Sequence, residues 1–438
     1  MSEMLEIRDP VHVFVRVYRD ERQWLVDAEP LQRLRDVHQL AMTYLLYPGA
    51  SHKRFEHSLG VLELATKIFD RVSDPQCIAH LPENNPVIEE LKRRRDRWRQ
   101  VLRAAALCHD IGHMPFSHAA ESLLPEEWNH ETVTRDLILS EEMADIWRHL
   151  KVDPPEVVKV ALGQKGHDFL LDPIEHFLTE IITGDAFGAD RMDYLLRDSL
   201  HTGVAYGRFD HHRLIDTLRL MPAPPVDDSK ETDENDIQLG VETGGLNSAE
   251  ALMLARYFIF SQVYFHPLRK IYDIHLRDFL KHWLPYGVYP ADLDKHLATT
   301  DSTLLEEIRK AAKDASHPAH MPAACIFYRQ HYKRLYQPAQ RDLEVNPDAG
   351  QAVVDALSKE FGPEMVRRAN QTKGSGNPDF PVSYDKGRIK SAWASNLSQV
   401  LNAIPPASID CVFVHREIEK KAQKFLDDSH NTIIEQGL

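Results

Sequence analysis

The run AAALCHDIGHMPFSH, residues 104–118, decides how the chain is read. An apolar stretch of Ala and Leu delivers His109 and Asp110 side by side, and His113 and His118 follow within nine residues. Upstream, LKRRRDRWRQVLRAAALCH puts Trp98, Val101, Leu102 and Ala105 on one stripe. That is the period of an amphipathic helix, with His109 at the buried end of its apolar face. Arg93, Arg94, Arg95, Arg97 and Arg99 on the same segment read as a solvated helix face rather than a nucleic-acid patch. SLGVLELATKIFDRV repeats the period through Leu59, Leu62, Ala65, Phe69 and Val72. A lone His-Asp pair would be read as a buried, hydrogen-bonded histidine. Two further stretches change that reading: SHKRFEHSLG, which brings His57 to the start of the second helix, and GADRMDYLLRDSLHTG at 188–203.

In the latter, Asp190, Tyr194, Asp198 and His201 stand at i, i+4, i+8 and i+11. On a helix they fall within roughly 80° of one another. Met192, Leu195, Leu196 and Leu200 take the other side. An ordinary solvated face is the alternative, although such a face carries Lys and Glu more often than Tyr, Asp and His. Two neutral imidazoles and two carboxylates, His57, His109, Asp110 and Asp190, suit a divalent ion of intermediate hardness such as Mn, Fe, Zn or Mg.

Composition narrows the partners. Over 438 residues the formal charge is -15, which argues against a nucleic-acid coat. An anionic substrate would need a local metal or arginine cluster against that field. The fractions, 43% hydrophobic and 27% charged, are those of a globular protein. Cys77, Cys108, Cys325 and Cys411 form no CxxC pair, which points to a reducing compartment. The start MSEMLEIRDP lacks a signal-peptide layout, and ALMLARYFIFSQVYF is too short to span a bilayer. A cytoplasmic protein is expected.

Helical periodicity dominates the first two-thirds. Residues 221–236, MPAPPVDDSKETDEND, read as an exposed loop, and IQLGVETGG as a short hairpin before a helix starting near Asn247 or Ser248. NQTKGSGNPDFP at 370–381 is a second break, and DCVFVHREI reads as a strand. The expected fold is mainly α: a helical core over 1–285 with small β-hairpins, then a mixed α+β C-terminal lobe over 286–438, packed on the core and involved in oligomerisation or regulation.

The motifs YPGASHKRFEHSLGV, LCHDIGHMPFSH, NHE and DRMDYLLRDSLHTG, occurring in that order, resemble those of the HD-domain metal-dependent phosphohydrolases. They are similar in particular to the deoxynucleoside triphosphate triphosphohydrolase branch, which includes the vertebrate SAM-and-HD-domain enzyme and bacterial relatives. The resemblance covers about residues 8–285 and fades in the C-terminal third; no SAM domain is expected. It implies hydrolysis of a deoxynucleoside triphosphate to deoxynucleoside and inorganic triphosphate. His57, His109, Asp110 and Asp190 would hold the metal, which would acidify a water and polarise the α-phosphate. His118 is the candidate general acid, with Glu121 at i+3 to orient it. His113 and His130, the latter beside Glu131, would contact phosphate oxygens. Arg54, Arg191 (where relatives often carry Lys) and Arg256 would handle the anion. For Arg256 the alternative is a salt bridge to Glu250 or another acid. Tyr194 would limit the sugar, Asp198 and Gln39 bond its 3′-hydroxyl, Tyr264 close its edge, and Leu40 exclude a 2′-hydroxyl.

The resemblance also implies an inter-subunit site for an activating guanine nucleotide, dGTP or GTP. Asp27, Gln32 and Arg35 in VDAEPLQRLR match in spacing, and Arg213 and His266 match activator-phosphate contacts. Gln262 and Pro267 stand where the vertebrate enzyme has basic residues. LQRLRDVHQL could equally be a plain amphipathic helix. Activation would couple to assembly of dimers or tetramers. Two competing functions are an HD-type nuclease or phosphodiesterase and a nucleotide-sensing regulatory subunit with little turnover. The first would want a basic cleft, and the second would not need all four metal ligands with the His118 and Glu121 pair.

Overall fold

A computed structural model describes residues 3–225, 236–373, 378–383 and 391–436, except for the side chains of His118 and Gln436. The chain is mainly helical, with three small sheets. It opens with an antiparallel hairpin, β1 (Met4–Asp9) and β2 (Val13–Tyr18), in register from Met4↔Tyr18 to Asp9↔Val13. The central helices follow. Arg54–Val72 buries Leu59, Leu62, Ala65, Phe69 and Val72, the stripe expected from the sequence. Pro86–Cys108 begins because Asn85 Oδ1 accepts the Val87 N–H at 2.9 Å and Pro86 presets the first turn. It kinks at Arg94, and its Ala-rich end is wholly buried. Helices Pro154–Leu162, Pro173–Thr183 and Ala189–Thr202 pack around these two and complete one core.

The second sheet is assembled from distant segments. β3 (Leu218–Pro222) and β4 (Ile237–Glu242) are antiparallel, β7 (Pro381–Ser383) joins β4 in parallel, and β8 (Ser391–Trp393) closes the order. The IQLGVETGG segment, expected to be a hairpin by itself, supplies instead the single strand β4 and the short turn Thr243–Gly245, and its antiparallel partner is Leu218–Pro222. Met221 and Pro222, expected in the exposed loop, lie in that strand and are buried. Residues 226–235 of the loop lie outside the described residues. Likewise Asn370–Thr372 of the expected break end strand β6 (Val366–Thr372), which pairs with β9 (Ser408–Val414), the strand foreseen in DCVFVHREI. β5 (Lys333–Tyr336) flanks β9 on the other side. In both breaks pairing with a remote strand satisfies backbone groups that local composition assigned to solvent.

Among the described residues, packing runs across the expected boundary at 285. β7 and β8 complete a sheet begun at 218, and the first core includes Cys325, Phe380, Ile409 and Phe413. A second core sets Met114, Phe116 and Leu123 against Tyr272, Leu276, Phe279, Leu304 and Ile308. The third lies within the C-terminal third, around Val353, Leu357, Val412 and Leu426. Among the described residues no helix is long and apolar enough to cross a membrane.

His275, on helix Pro267–Trp283, accepts the Tyr332 N–H at 3.2 Å and so ties this helix to the β5 segment. Burial, with Arg367, His331 and His415 nearby, lowers its pKa to about 3. The unfolded chain therefore takes up a proton near pH 6.5 that the native state refuses. Stability is full above that pH and falls below it, by up to ~1.4 kcal/mol per pH unit. His275→Gln should lower Tm at pH 7 yet lose less than the unsubstituted protein between pH 7 and 5; parallel losses would refute this assignment.

Candidate metal centre and active site

His57 lies one turn into helix Arg54–Val72 and is fully buried. Its Nδ1 is 2.8 Å from Asp193 Oδ2, and its Nε2 is 3.0 Å from Asp190 Oδ1 and 3.7 Å from Asp110 Oδ2. His109 follows the last residue of helix Pro86–Cys108, where its Nδ1–H donates to the Ala106 carbonyl at 2.9 Å. That bond leaves a lone pair on Nε2. The atom is buried, has no hydrogen-bond partner among the described residues, and lies 3.5 Å from Asp110 Oδ1 and 3.7 Å from Asp190 Oδ1. One ligand atom from each of His57, His109 and Asp110 fits within 4.8 Å of the others, a group that could hold a metal ion. The individual separations of 3.0, 3.5 and 3.7 Å are close to those of neighbouring donors around an ion with bonds of ~2.1 Å.

The electrostatics agree with a cation site. Burial opposes charge on His57, but hydrogen bonds to Asp190 and Asp193 raise its pKa to about 10. Burial likewise opposes ionisation of Asp110, yet His109, Arg54 and His113 hold it well below the usual carboxylate range. Asp190 is lowered too, against burial, by His109 and His57.

Asp193 sits behind the ligands with no exposure at all. It accepts from His57 Nδ1, from His12 Nε2 at 2.6 Å, and from Arg197 Nε and Nη2 at 2.8 and 2.9 Å. Arg197 Nη1 reaches Asp9 Oδ2 at 2.9 Å, and Asp9 Oδ1 holds the hairpin turn through the N–H groups of Val11 and His12. Gly60 makes the arrangement possible: a Cβ there would lie 1.9 Å from Asp193 Oδ1. Gly112 plays the same part at the HD turn, where a Cβ would lie 2.3 Å from the Thr134 nitrogen on helix His130–Ile138.

That close approach brings the NHE segment to the centre. His130 stacks on His113 with centroids 4.3 Å apart, and His113 Nε2 is 3.2 Å from Asp110 Oδ1. Glu121 accepts from His130 Nδ1, and Glu131 Oε2 lies 3.3 Å from the same atom. Against burial, Glu121 and Glu131 raise the His130 pKa. Burial and Arg54 keep His113 neutral, well below the ordinary histidine value. Arg54 donates to Asp110 Oδ2 and, from Nε, to Ser117 Oγ at 2.9 Å. The backbone of His118 opens the turn His118–Glu121, but its side chain, and with it the expected pairing to Glu121, lies outside the described residues. Phe116 and Ser117 before it have φ of 55° and 57°, left-handed values that cost non-glycine residues ~1–3 kcal/mol each.

On helix Ala189–Thr202, Arg191 flanks Tyr194 with Arg256, which is only half-buried. Arg191 Nη2 meets Asp185 at 3.1 Å, while Arg191 Nε and Nη1 and Arg256 Nε are buried without a hydrogen-bond partner among the described residues. Burial first, then Arg191, lowers the Arg256 pKa. Glu250, its alternative partner, instead accepts from Ser398 Oγ at 2.5 Å. Asp198 accepts from His52 Nε2 at 2.7 Å and from Tyr264 OH, and His52 stacks on His201 at 4.3 Å. Both Asp198 oxygens are thus engaged by protein, with Tyr264 reaching it from the π-turn Phe260–Tyr264. Gln39 donates its N–H to the His52 carbonyl at 3.1 Å and keeps a buried, unpartnered Oε1; Leu40 is buried beside it.

Of the guanine-site candidates, Arg35 Nε donates to Gln32 Oε1 at 2.8 Å and Gln32 Nε2 to the Val26 carbonyl at 2.7 Å. Asp27 is exposed at the end of the preceding π-turn. Arg213 donates to the Gly244 carbonyl at 3.2 Å, and His266 caps helix Pro267–Trp283. Sequence reasoning missed Asp9, His12, His52, Asp193 and Arg197. No local signal marked Asp193, because an acid at i+3 from Asp190 and four residues before Arg197 reads as part of a solvated ion pair.

A family model described as HD domain matches residues 54–195, and one described as HD associated region matches 209–360. The uncharacterized protein YwfO of Bacillus subtilis is 34% identical over 282 residues, 64% of this chain and 56% of its own length. The deoxynucleoside triphosphate triphosphohydrolase SAMHD1 of Gallus gallus is 32% identical over 244 residues, 50% of this chain and 37% of its own. The chain thus spans about half, or less, of the length of these curated relatives. A solved structure of a hypothetical protein from Aquifex aeolicus superposes with a TM-score of 0.75 at 32% identity, covering 97% of this chain and 100% of that one. A phosphohydrolase of Bacteroides thetaiotaomicron shares the fold at TM-score 0.69 and 20% identity.

Asp193→Asn keeps the shape of the side chain but removes the charge that fixes the His57 tautomer. It should weaken metal affinity by about 10- to 100-fold, read by competition with a chelating dye. Unchanged affinity in the folded variant would show that Asp193 does not act through His57.

Proposed function

The chain belongs to the HD-domain phosphohydrolase family, and on that premise we propose that it hydrolyses deoxynucleoside triphosphates to deoxynucleoside and inorganic triphosphate. One observation carries the reading: a buried, unpartnered His109 Nε2 faces His57, Asp110 and Asp190, beside cations with unfilled donors. A divalent ion held by these four residues supplies, when bound, Lewis-acid stabilisation at the α-phosphate and a more acidic water.

The chain's own groups do the rest. Arg54 and the stacked pair His113 and His130 line the approach of the α-phosphate, and against burial the carboxylates of Glu121 and Glu131 favour the protonated form of His130. As the water oxygen bonds to the α-phosphorus, the bond to the 5′-oxygen breaks, His118 delivers its proton to that oxygen, and the proton lost by the water passes to solvent, from which His118 is reprotonated. Arg191 and Arg256 meet the outer phosphates with the N–H groups that lack protein acceptors. Tyr194, Tyr264, Asp198 and Gln39 enclose the sugar, and Leu40 fills the space a 2′-hydroxyl would need. Asp27, Gln32 and Arg35, with Arg213 and His266, are the proposed guanine-nucleotide site, whose occupancy would promote assembly of a homo-oligomer.

Purified protein incubated with each deoxynucleotide and Mn²⁺, Mg²⁺, Fe²⁺ or Zn²⁺, with and without GTP, should release inorganic triphosphate. Shortening of a DNA strand instead would favour the nuclease reading, and binding without turnover a sensor. Asp190→Ala should abolish turnover and lower metal content; unchanged metal occupancy overturns the ligand assignment.

A further inference from the structure

The turn 113–118 is held from outside the HD domain. Asp301, the first residue of helix Asp301–Lys313, is buried and belongs to the HD-associated region. Its Oδ1 accepts the Phe116 N–H at 2.6 Å. Its Oδ2 accepts the His38 N–H at 2.7 Å and meets His38 Nδ1 at 2.5 Å. Phe116 is the first of the two left-handed residues, and Ser117, the second, returns Oγ–H to the His38 carbonyl at 3.0 Å. One carboxylate thus fastens the strained turn that launches His118 to the segment that carries Gln39 and Leu40.

A second anchor comes from the same direction. Arg33 donates to the His113 carbonyl at 2.9 Å, and to the carbonyls of His296 and Thr299 at 3.0 and 2.9 Å, just ahead of Asp301. Asp301, Phe116, Ser117, His38, Arg33 and His113 are all buried, so the turn cannot relax without leaving backbone N–H groups unpaired. None of these contacts touches a metal ligand directly; they set where the turn and the His38 segment stand, and they reach Asp110 only through Arg54, which also donates to Ser117.

We propose that Asp301 is a positioning residue. By gripping Phe116 and His38 together, it aims the His118 end of the turn at the leaving oxygen while the sugar wall stays in register. This rests on the triphosphohydrolase reading, in which His118 is the acid. An amide at 301 offers one acceptor where the carboxylate serves both backbone donors, and its N–H₂ would face a donor on the other side.

Asp301→Asn should keep the wild-type metal content and a KM for dGTP within about threefold, while kcat falls about 10- to 100-fold. Arg33→Lys, which loosens the second anchor alone, should give a milder version of the same split. Hydrolysis of bis(p-nitrophenyl) phosphate, whose phenolate leaves without a proton donor, should stay near the wild-type rate in both variants. An unchanged kcat, a parallel loss on both substrates, or lost metal overturns the proposal. Wild-type protein that cleaves the aryl ester but no deoxynucleotide sinks the triphosphohydrolase reading alone. The positioning role is then decided on alkyl against aryl phosphodiesters, where a selective loss on the alkyl ester supports it and an equal loss refutes it.

Discussion

The carboxylate of Asp193 is the constraint on which the rest of the site depends. It is a fully buried charge, and burying an ion is costly unless its lone pairs are filled. Here two imidazoles and one guanidinium fill them, with Asp9 neutralising the remaining edge of Arg197. Each partner arrives from a different element: the N-terminal hairpin turn, helix Arg54–Val72 and helix Ala189–Thr202. Losing one partner of such a cluster costs ~3–5 kcal/mol, because a buried charge is left uncompensated. The cluster therefore fixes how the two ligand-bearing helices sit, and Gly60 is the surface through which they touch.

The candidate metal ligands inherit their geometry from that placement. His57 is oriented by Asp193 from behind, whereas His109 is oriented by the carbonyl of its own helix end. Both imidazoles present Nε2 to the same point, one through a tertiary contact and one through a local one. Asp110 is held between Arg54 and His113, so the site couples its ligands to the groups expected to meet phosphate.

Charge is distributed to match. The whole chain carries -15, yet Arg54, Arg191 and Arg256 gather around the site, two of them with buried donors that have no hydrogen-bond partner among the described residues. Such local focusing is what an anionic substrate needs when the global field opposes it. The same proximity of cations lowers the Arg256 pKa, a cost that a bound anion would relieve.

The sequence by itself determined the helical class and the spacing of His57, His109, Asp110 and Asp190, because helical periodicity and a motif in fixed order are local properties. It also anticipated the strand at 408–414. Asp193 and Arg197 were invisible to it, since an Asp and an Arg four residues apart on a helix look like a solvated ion pair. Only the tertiary structure decided that this pair faces inward, where the absent Cβ of Gly60 and the reach of His12 give it partners. The same holds for the parallel pairing of Val241 with Val382 and for the grip of Asp301 on Phe116, contacts between segments more than a hundred residues apart. A buried charge is tolerated only beside its partners, and which partners arrive is settled by packing rather than by neighbours in the chain.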